Sequence, residues 1–233
     1  MAGQVIWCLG MYGSASTWAF NVVRQIHIAA GQDRLQSHFF SGKHGFEDFG
    51  RGNVIDLVKS HEVSDEGTVL ELAARSAKIL VTMRDLRDAV TSLMLSHGHK
   101  FDRALDFVVA AADLCRGYAK DRRAKLFQYE TRFFEDPATV QVIAAHLGYQ
   151  LPADAIQTIF DGVSRRAVEK YIAELPKLRD ILRDPISGDL LDPKTQWHTH
   201  HAGRSGEIGR WKQMLTAEQV KKIEAHAGSL LAG

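Results

Sequence analysis

The sequence predicts a strand, a tight turn and a helix in quick succession near the start of the chain. An apolar run from Val5 to Leu9 is followed by Gly10 and Gly13, and then by small and hydroxylated residues. The first N–H groups of a helix have no intrahelical partner, and the helix dipole favours an anion beside them. Glycine also lets the backbone approach a ligand closely. The stretch predicts either a phosphate-binding loop or an ordinary strand–turn–helix connection, and the rest of the chain has to distinguish the two.

Predicted strands and helices alternate after this stretch. Apolar patterns predict further strands over residues 34–40, 53–59, 77–83 and 124–129. They predict helices over residues 16–30, 65–76 and 101–116, a further helix around Val90, and mainly helix over residues 136–176. Regular periodicity is lost between Asp184 and Gly209, and a capping box at Thr216 opens a last helix. This alternation predicts one α/β domain over residues 1–233, with a three-layer architecture and a mainly parallel central sheet flanked by helices.

Charge and cysteine content narrow the classes of partner and compartment. The net charge is +1, so we expect no nucleic-acid partner. No apolar run approaches the ~18 residues that span a bilayer, and no signal-peptide pattern is present. Cys8 and Cys115 fall in a predicted strand and a predicted helix, which indicates two buried thiols rather than a disulfide framework. We therefore expect a protein without a membrane span, located in the cytoplasm.

Polar residues follow the predicted strands. Ligands of parallel sheets collect beyond the carboxyl ends of the strands, so these residues are expected to lie together. The residues at the predicted strand ends are Gly13 and Ser14, Lys59 and His61, Arg84, and Tyr129 with Glu130. A histidine, basic groups and a phosphate-type turn favour an anionic ligand.

Four segments, in the same order, resemble the sulfotransferase family that uses 3′-phosphoadenosine-5′-phosphosulfate (PAPS). Tyr12–Trp18 is similar to the family's 5′-phosphosulfate loop, and Val58–His61 to its lysine–threonine–histidine element. Arg84–Ser92 is similar to the 3′-phosphate motif, in which arginine and serine stand eight residues apart, and Arg204–Lys212 to the C-terminal element. Tyr129-Glu130, followed by Asp136-Pro137, also fits the pattern. The resemblance extends over residues 5 to 219.

The resemblance implies a fold related to P-loop nucleoside triphosphatases, in-line transfer of a sulfuryl group from PAPS, and 3′-phosphoadenosine-5′-phosphate (PAP) as product, without a metal. It implies that the cofactor is bound by Tyr12, Gly13, Ser14, Ala15, Ser16, Thr17, Trp18, Arg84, Ser92, Tyr129, Arg204, Ser205 and Gly206. Trp18 is expected either to stack on adenine or to be a core residue of the first helix. Arg84 is expected to bind the 3′-phosphate, the alternative being a surface ion pair with Asp85 or Asp88.

His61 and Lys59 are the predicted catalytic residues. An attacking hydroxyl or amine loses a proton as the new bond forms, and a histidine titrating near neutrality suits the role of general base. Lys59 would stabilise charge that develops on the transferred group or on the leaving phosphate. The alternative for His61 is a surface or hydrogen-bonded core histidine, which is the usual place of a lone histidine.

Three departures from the family pattern leave activity open. Gly13 stands where the family carries a lysine or arginine, and Lys59, Arg204 and Lys43 are the candidates to replace that cation. Ala15 replaces a glycine, which is a mild change if its φ stays negative, and Ser205 replaces a lysine. A non-catalytic PAPS- or PAP-binding protein is therefore the alternative. A small-molecule kinase is disfavoured because the loop lacks Gly-Lys-Ser/Thr.

The acceptor and the oligomeric state are left open by the sequence. A small molecule or a glycan is expected as acceptor, with carbohydrate, lipid, phenol and peptide tyrosine all open. Its pocket is predicted from the loop over residues 184–203 and from Phe39, Phe40, Phe46 and Phe49, although core packing explains the phenylalanines equally well. A metal site at His198, His200 and His201 is not predicted, because no carboxylate or cysteine stands at ligand spacing. These histidines are expected in a mobile loop that contacts the acceptor.

Overall fold

A five-stranded parallel sheet forms the centre of the protein. The computed structural model describes residues 4–41, 49–61, 65–183, 188–202 and 206–227. The strands are β1 (Gln4–Gly10), β2 (Leu35–Phe39), β3 (Ile55–Ser60), β4 (Ser76–Met83) and β5 (Ala124–Gln128). Their order in the sheet is β2-β3-β1-β4-β5, and every neighbouring pair is parallel. The predicted α/β architecture is confirmed.

Helices cover both faces of this sheet. They are α1 (Ser16–Ala29), α2 (Glu66–Arg75), α3 (Leu86–His97), α4 (Phe101–Ala119), α5 (Ala138–Leu147), α6 (Ala153–Gly162), α7 (Arg165–Glu174), α8 (Trp211–Met214) and α9 (Ala217–Ala227). Two short strands, β6 (Leu182–Arg183) and β7 (Leu190–Leu191), form a separate antiparallel pair. The differences from the predicted boundaries are small: α4 continues to Ala119, and β5 ends one residue before Tyr129. Among the described residues, no helix combines the length and hydrophobicity that crossing a membrane requires.

Strand β1 shows why the fold has three layers. Successive side chains of a strand point to opposite faces, so an apolar run must be covered on both sides. Val5, Trp7 and Leu9 belong to the core under α2, α3, α4 and α9, while Ile6 and Cys8 belong to the core under α1, α5, α6 and α7. The run from Val5 to Leu9 is continuously apolar because both sheet faces are buried.

The two cysteines are part of this core, as the sequence predicted. Cys8 lies in β1 and Cys115 in α4, and both are buried free thiols. Burial raises the pKa of each thiol, because a thiolate would lose its hydration there. Both residues therefore act as small hydrophobic side chains.

The order of the strands creates a crevice at the carboxyl edge of the sheet. The chain leaves β1 towards β2 on one side, and it leaves β4 towards β5 on the other side. The loops that follow β1 and β4 consequently diverge, although the two strands are neighbours. Open α/β sheets bind ligands at such a switch point. The residues that follow β1 and β4 are therefore the first place to look for a site.

Candidate functional site

The β1–α1 loop, residues 11–15, is built around a left-handed backbone and an inward-facing serine. Gly13 has φ +67°, which suits glycine. The Ser14 hydroxyl donates to the Met11 carbonyl over 2.7 Å and shares a second 2.7 Å hydrogen bond with the Thr82 hydroxyl on β4. Ser14, predicted to contact the cofactor, thus uses its hydroxyl, and also its backbone N–H, which donates to the Met11 carbonyl over 3.3 Å, to fix the shape of the loop.

Ala15 departs from the expectation of a negative φ. It is the N-cap of α1 and has φ +61°, in the left-handed region that costs a non-glycine residue about 1–2 kcal/mol. An alanine at this position is therefore not a mild change, because its backbone has a left-handed conformation that suits glycine and is strained for alanine. Strain of this kind is held at ligand-binding loops by the structure around it.

The N-terminus of α1 has neither a capping side chain nor an acidic residue in its first turn. This turn contains the buried Ser16 and Thr17. In α2 and α3, by contrast, Asp65 and Asp85 accept hydrogen bonds from first-turn N–H groups. The N–H groups of α1 and its dipole thus remain available to a phosphate or sulfate oxygen.

Arg84 and Ser92 occupy the space beside Gly13. The Arg84 guanidinium donates from Nη1 to the Gly13 carbonyl over 2.9 Å. A Cβ atom placed on Gly13 would lie 2.6 Å from the Ser92 hydroxyl oxygen and 3.1 Å from Arg84 Nη1. The structure therefore brings the loop, the end of β4 and α3 together at one point. A lysine at position 13 would have to displace Ser92 and adopt a strained backbone.

Arg84 is buried, with 4% of its surface exposed. Its Nη2 donates to the Glu207 carbonyl over 2.9 Å, and its guanidinium lies 4.2 Å from the centre of the Tyr129 ring. Its Nε is buried and has no hydrogen-bond partner among the described residues. Neither neighbouring aspartate pairs with Arg84 in the described part of the chain: Asp85 pairs with Arg87, and Asp88 accepts backbone N–H groups of residues 209 and 211. A buried guanidinium with an unused donor fits an anionic ligand.

The C-terminal segment, residues 206–214, is held against this point. The Asp88 carboxylate on α3 accepts the backbone N–H of Gly209 over 2.6 Å and that of Trp211 over 3.1 Å. The Tyr129 hydroxyl donates to the Gly206 carbonyl over 2.6 Å. Arg204 and Ser205, which were predicted to contact the cofactor, lie outside the described residues, as does Lys43.

Replacing Asp88 by alanine is expected to release the C-terminal segment. The change removes a buried charged acceptor from two backbone N–H groups, and hydrogen bonds to charged groups contribute about 2 kcal/mol. Hydrogen–deuterium exchange over residues 206–214 should accelerate, and urea unfolding should report the loss of stability. The control is Asp113→Ala, which removes an exposed ion pair with Arg116 and should change stability by less than about 0.5 kcal/mol. Unchanged exchange in the Asp88 variant would contradict the assignment.

His61 is tied to the backbone of the β1–α1 connection. Its Nδ1 lies 2.7 Å from the Gly10 carbonyl, which can only accept, so Nδ1 carries the hydrogen. Its Nε2 therefore presents a lone pair, and the Lys59 ammonium donates to it over 3.2 Å. Burial and the positive charge of Lys59 lower the pKa of His61 well below its ordinary value. The imidazole is neutral at pH 7 with its lone pair at Nε2, but it does not titrate near neutrality as the sequence suggested, because burial and Lys59 disfavour the charged form.

Aromatic residues surround this pair. Tyr12 stacks on His61 with ring centres 4.3 Å apart, and the Lys59 ammonium lies 5.3 Å from the centre of the Phe39 ring. Phe39 is half-exposed, whereas Phe40 and Phe49 are buried in the core. Of the described phenylalanines predicted for the acceptor pocket, Phe39 is thus the one whose side chain is accessible to a ligand. Phe46 lies outside the described residues.

Trp18 lies in the core on the first turn of α1. Its ring packs edge-on against Phe133, with ring centres 5.7 Å apart. Its indole Nε1 is buried and finds no hydrogen-bond partner in the described part of the chain. The core interpretation accounts for the packing of Trp18, and stacking on adenine stays a prediction.

The sequence missed the partner of the C-terminal histidines. The predicted loop over residues 184–203 contains β7 and a 3₁₀ turn over Thr199–Ala202, and residues 184–187 and 203 lie outside the described residues. Asp189 lies 2.9 Å from His198 Nδ1 and 2.7 Å from His200 Nδ1. A carboxylate nine and eleven residues away in sequence is thus a direct neighbour, contrary to the expectation from spacing.

Acidification is expected to destabilise the fold below about pH 6.5. Burial lowers the pKa of His27, His61 and His146 in the folded state, so the unfolded chain binds more protons once the pH falls below the ordinary histidine value. The free energy of unfolding should be level above this value and fall below it, by up to about 1.4 kcal/mol per pH unit for each histidine. Urea unfolding at pH 7.5, 6.5 and 5.5 measures this, and a stability that rises on acidification would contradict it.

Comparison with known proteins identifies the fold. No family model and no curated protein sequence matches the chain. The crystal structure of mouse sulfotransferase SULT7A1 complexed with PAP is similar over 99% of this chain and 85% of its own, with a TM-score of 0.66 and 11% identity. Retinol dehydratase in complex with androsterone and inactive cofactor PAP aligns over 98% of this chain and 80% of its own, with a TM-score of 0.64 and 14% identity. Retinol dehydratase in a complex with retinol and PAP aligns over 100% of this chain and 82% of its own, with a TM-score of 0.64 and 15% identity.

These similarities confirm the fold that the resemblance implied. The chain has the sulfotransferase fold, with a parallel five-stranded sheet between two layers of helices. At such low identity the likeness extends to the fold alone, so the chemistry has to be argued from the residues of this chain.

Proposed function

We propose that the protein is a sulfotransferase that moves the sulfuryl group of PAPS to a hydroxyl or amine of an acceptor. The observation that carries this proposal is the hydrogen bond between His61 Nδ1 and the Gly10 carbonyl. It fixes a neutral imidazole to the same connection whose next residues lead into the uncapped N-terminus of α1. A proton acceptor and an anion-binding helix end are thereby held as one unit.

The residues present fit a nucleotide with phosphates at two positions. The β1–α1 loop, with the first turn of α1 through Trp18, would hold the phosphosulfate through backbone N–H groups and through Ser16 and Thr17. Arg84, Ser92 and Tyr129 would hold the 3′-phosphate under the C-terminal segment, and the unused Arg84 Nε is a donor for it. Both groups of residues lie at the switch point of the sheet, where Arg84 contacts Gly13. PAPS, when bound, supplies the sulfuryl group.

His61 acts as general base in this proposal. Its Nε2 accepts the proton of the acceptor hydroxyl or amine as the acceptor forms its bond to sulfur and the bond from sulfur to the leaving 5′-phosphate oxygen breaks. The Nδ1–H bond to Gly10 keeps the ring in the correct tautomer and stabilises the imidazolium that forms. Lys59 gives up its hydrogen bond to Nε2 when the acceptor takes that position. Its ammonium then remains beside the reaction, where it stabilises developing negative charge.

Lys59 is the described cation that we propose in place of the missing lysine or arginine at position 13. Arg84 Nη1 lies 3.1 Å from the point that a Cβ of residue 13 would occupy, but it donates to the Gly13 carbonyl and belongs to the residues proposed for the 3′-phosphate. The ammonium of Lys59, on β3, lies beside His61, where it stabilises the charge that develops during transfer.

A small molecule with an apolar body is the proposed acceptor class. Phe39 exposes half of its surface next to Lys59 and lies 6.2 Å from His61 between ring centres. Retinol dehydratase, a structural neighbour, was crystallised with retinol and with androsterone, both apolar alcohols. An apolar alcohol or phenol is therefore the first class to test, with glycans second.

The proposal is tested in two steps. Calorimetry with PAP should give saturable binding of one molecule per chain, and its absence would overturn the proposal. Purified protein is then incubated with ³⁵S-labelled PAPS and a panel of sterols, phenols, primary alcohols, amines and oligosaccharides. Transfer of label to an acceptor is the expected result.

A non-catalytic PAPS- or PAP-binding protein is the second candidate, favoured by the missing cation at Gly13. Saturable PAP binding without transfer to any member of the panel would support it, and transfer to any acceptor would exclude it. A Gly13→Lys variant is not a suitable rescue, because its Cβ would collide with Ser92. The panel is therefore the decisive experiment.

A further inference from the structure

The histidine loop, residues 188–202, gathers imidazoles around one carboxylate. Oδ2 of Asp189 lies 2.9 Å from His198 Nδ1 and 2.7 Å from His200 Nδ1. Its other oxygen, Oδ1, accepts a hydrogen bond from the Thr199 hydroxyl. Two imidazole nitrogens thus converge on a single carboxylate oxygen. The catalytic proposal above does not use any of these groups.

We propose that Asp189, His198 and His200 form a binding site for a first-row transition-metal ion, with Zn²⁺ as the ion to test. One potential ligand atom from each residue lies within 4.8 Å of the other two, so a single ion can be reached by all three. Two imidazoles and a carboxylate are a ligand set that Zn²⁺ accepts readily, whereas Ca²⁺ and Mg²⁺ prefer oxygen alone. Three protein ligands leave a fourth position for water or another small ligand.

The loop that carries the three ligands is held by its own hydrogen bonds. Leu191 and His198 form a β-bridge, and Asp192 pairs with Trp197 through the Asp192 N–H, 3.0 Å from the Trp197 carbonyl. These contacts close a hairpin whose turn ends at Gln196, a residue with a left-handed φ of +59°. The hairpin places residues 189 and 198–200 side by side.

A second carboxylate anchors this hairpin to the rest of the protein. Asp192 accepts hydrogen bonds from the Tyr171 hydroxyl on α7, over 2.5 Å, and from the Thr195 hydroxyl and the Lys194 N–H. Ligands on a backbone fixed in this way need little rearrangement to bind an ion.

Two further histidines surround the proposed site. His201 Nδ1 accepts the backbone N–H of His198 over 2.9 Å and so helps to position that residue. The ring of His97, at the end of α3, lies 4.6 Å from the ring of His200 between centres. Groups that orient metal ligands in this manner commonly affect metal affinity. The site thus connects the histidine loop to the helix that also carries Ser92.

The test uses full-length protein without a histidine tag, stripped with a chelator and dialysed against metal-free buffer. Zn²⁺ is titrated by calorimetry, and Co²⁺ is used as a spectroscopic probe of the coordination geometry. We expect one Zn²⁺ per chain, and at least about tenfold weaker binding in Asp189→Asn and in His200→Gln. The matched control is His38→Gln, which removes a histidine that pairs with a single carboxylate, Asp56, on the sheet. It should leave Zn²⁺ affinity unchanged.

Two results would overturn the proposal. One is the absence of saturable Zn²⁺ binding to the stripped wild-type protein, which would leave Asp189 as a hydrogen-bonding centre for the loop. The other is equal Zn²⁺ affinity in wild type and in both variants, with circular dichroism showing that the variants are folded. PAP calorimetry on the same stripped sample is independent of the metal result, so failure of this site and failure of the proposed function are distinguishable.

Discussion

Replacing His61 by alanine is expected to lower kcat for sulfuryl transfer by about 10²–10⁴-fold, the range typical of a general base. The imidazole is held in the tautomer that leaves Nε2 able to accept a proton, and its lowered pKa keeps it neutral at pH 7. PAP affinity should change much less than kcat, because the Ser14 hydrogen bonds to Met11 and Thr82 still hold the β1–α1 loop in the variant. The measurement is steady-state kinetics with the best acceptor of the panel, together with PAP calorimetry on the same variant.

The control for this experiment is His146→Gln. His146 is also a partly buried histidine of lowered pKa, but it lies on α5 and hydrogen-bonds to the Ile79 carbonyl. Its replacement should leave kcat within about twofold of wild type, since it removes no group near the reaction. A His61→Ala enzyme with kcat within tenfold of wild type would contradict the role of general base.

The architecture was predictable because its signals are local and repeated. A run such as Val5–Leu9, apolar at every position, has to be buried on both faces, and this holds only for an inner strand covered by two helical layers. The helices between such runs make parallel pairing the natural outcome. What remained uncertain was where elements end: Tyr129 belongs to a 3₁₀ turn rather than to β5, and its hydroxyl bonds to a residue 77 positions away.

The strand-end residues were predictable for a similar reason. Lys59 lies near the carboxyl end of β3, and His61 and Arg84 directly follow β3 and β4, so their common edge of the parallel sheet follows from topology. Asp189 was not predictable, because it meets His198 and His200 only through a hairpin closed by a left-handed residue. Sequence spacing does not report a contact made across such a turn.

Backbone conformation was the other property that the sequence did not reveal. Ala15 takes a φ of +61° that alanine adopts only when its surroundings impose it, and no local pattern predicts this. Gly13 was interpreted as the loss of a cation, and the structure adds that Ser92 and Arg84 occupy the space that a side chain at this position would need.

Among the substitutions proposed, Arg84→Ala is expected to have the largest effect on cofactor binding, a loss of about 10²-fold in PAP affinity. Two charge-assisted hydrogen bonds to a phosphate at about 1.5 kcal/mol each correspond to this factor. Arg84 also supports Gly13 and Glu207 by hydrogen bonds, so the loss in affinity alone does not show which phosphate it binds. Calorimetry with PAP and with adenosine 5′-monophosphate, which lacks the 3′-phosphate, distinguishes binding of the 3′-phosphate from binding of the 5′-phosphate.

If Arg84 binds the 3′-phosphate, the preference of the wild type for PAP over the monophosphate should collapse towards unity in Arg84→Ala. The variant would then bind the monophosphate almost as well as wild type does, because the β1–α1 loop and the N-terminus of α1 still hold the 5′-phosphate. If the guanidinium serves the 5′ side, both affinities should fall together and the ratio should persist, which would contradict the 3′ assignment. Arg165→Ala, at an exposed ion pair with Glu169 on α7, is the control and should alter neither affinity. The ratio of two affinities thus tests the site even though Arg84 also stabilises the loop.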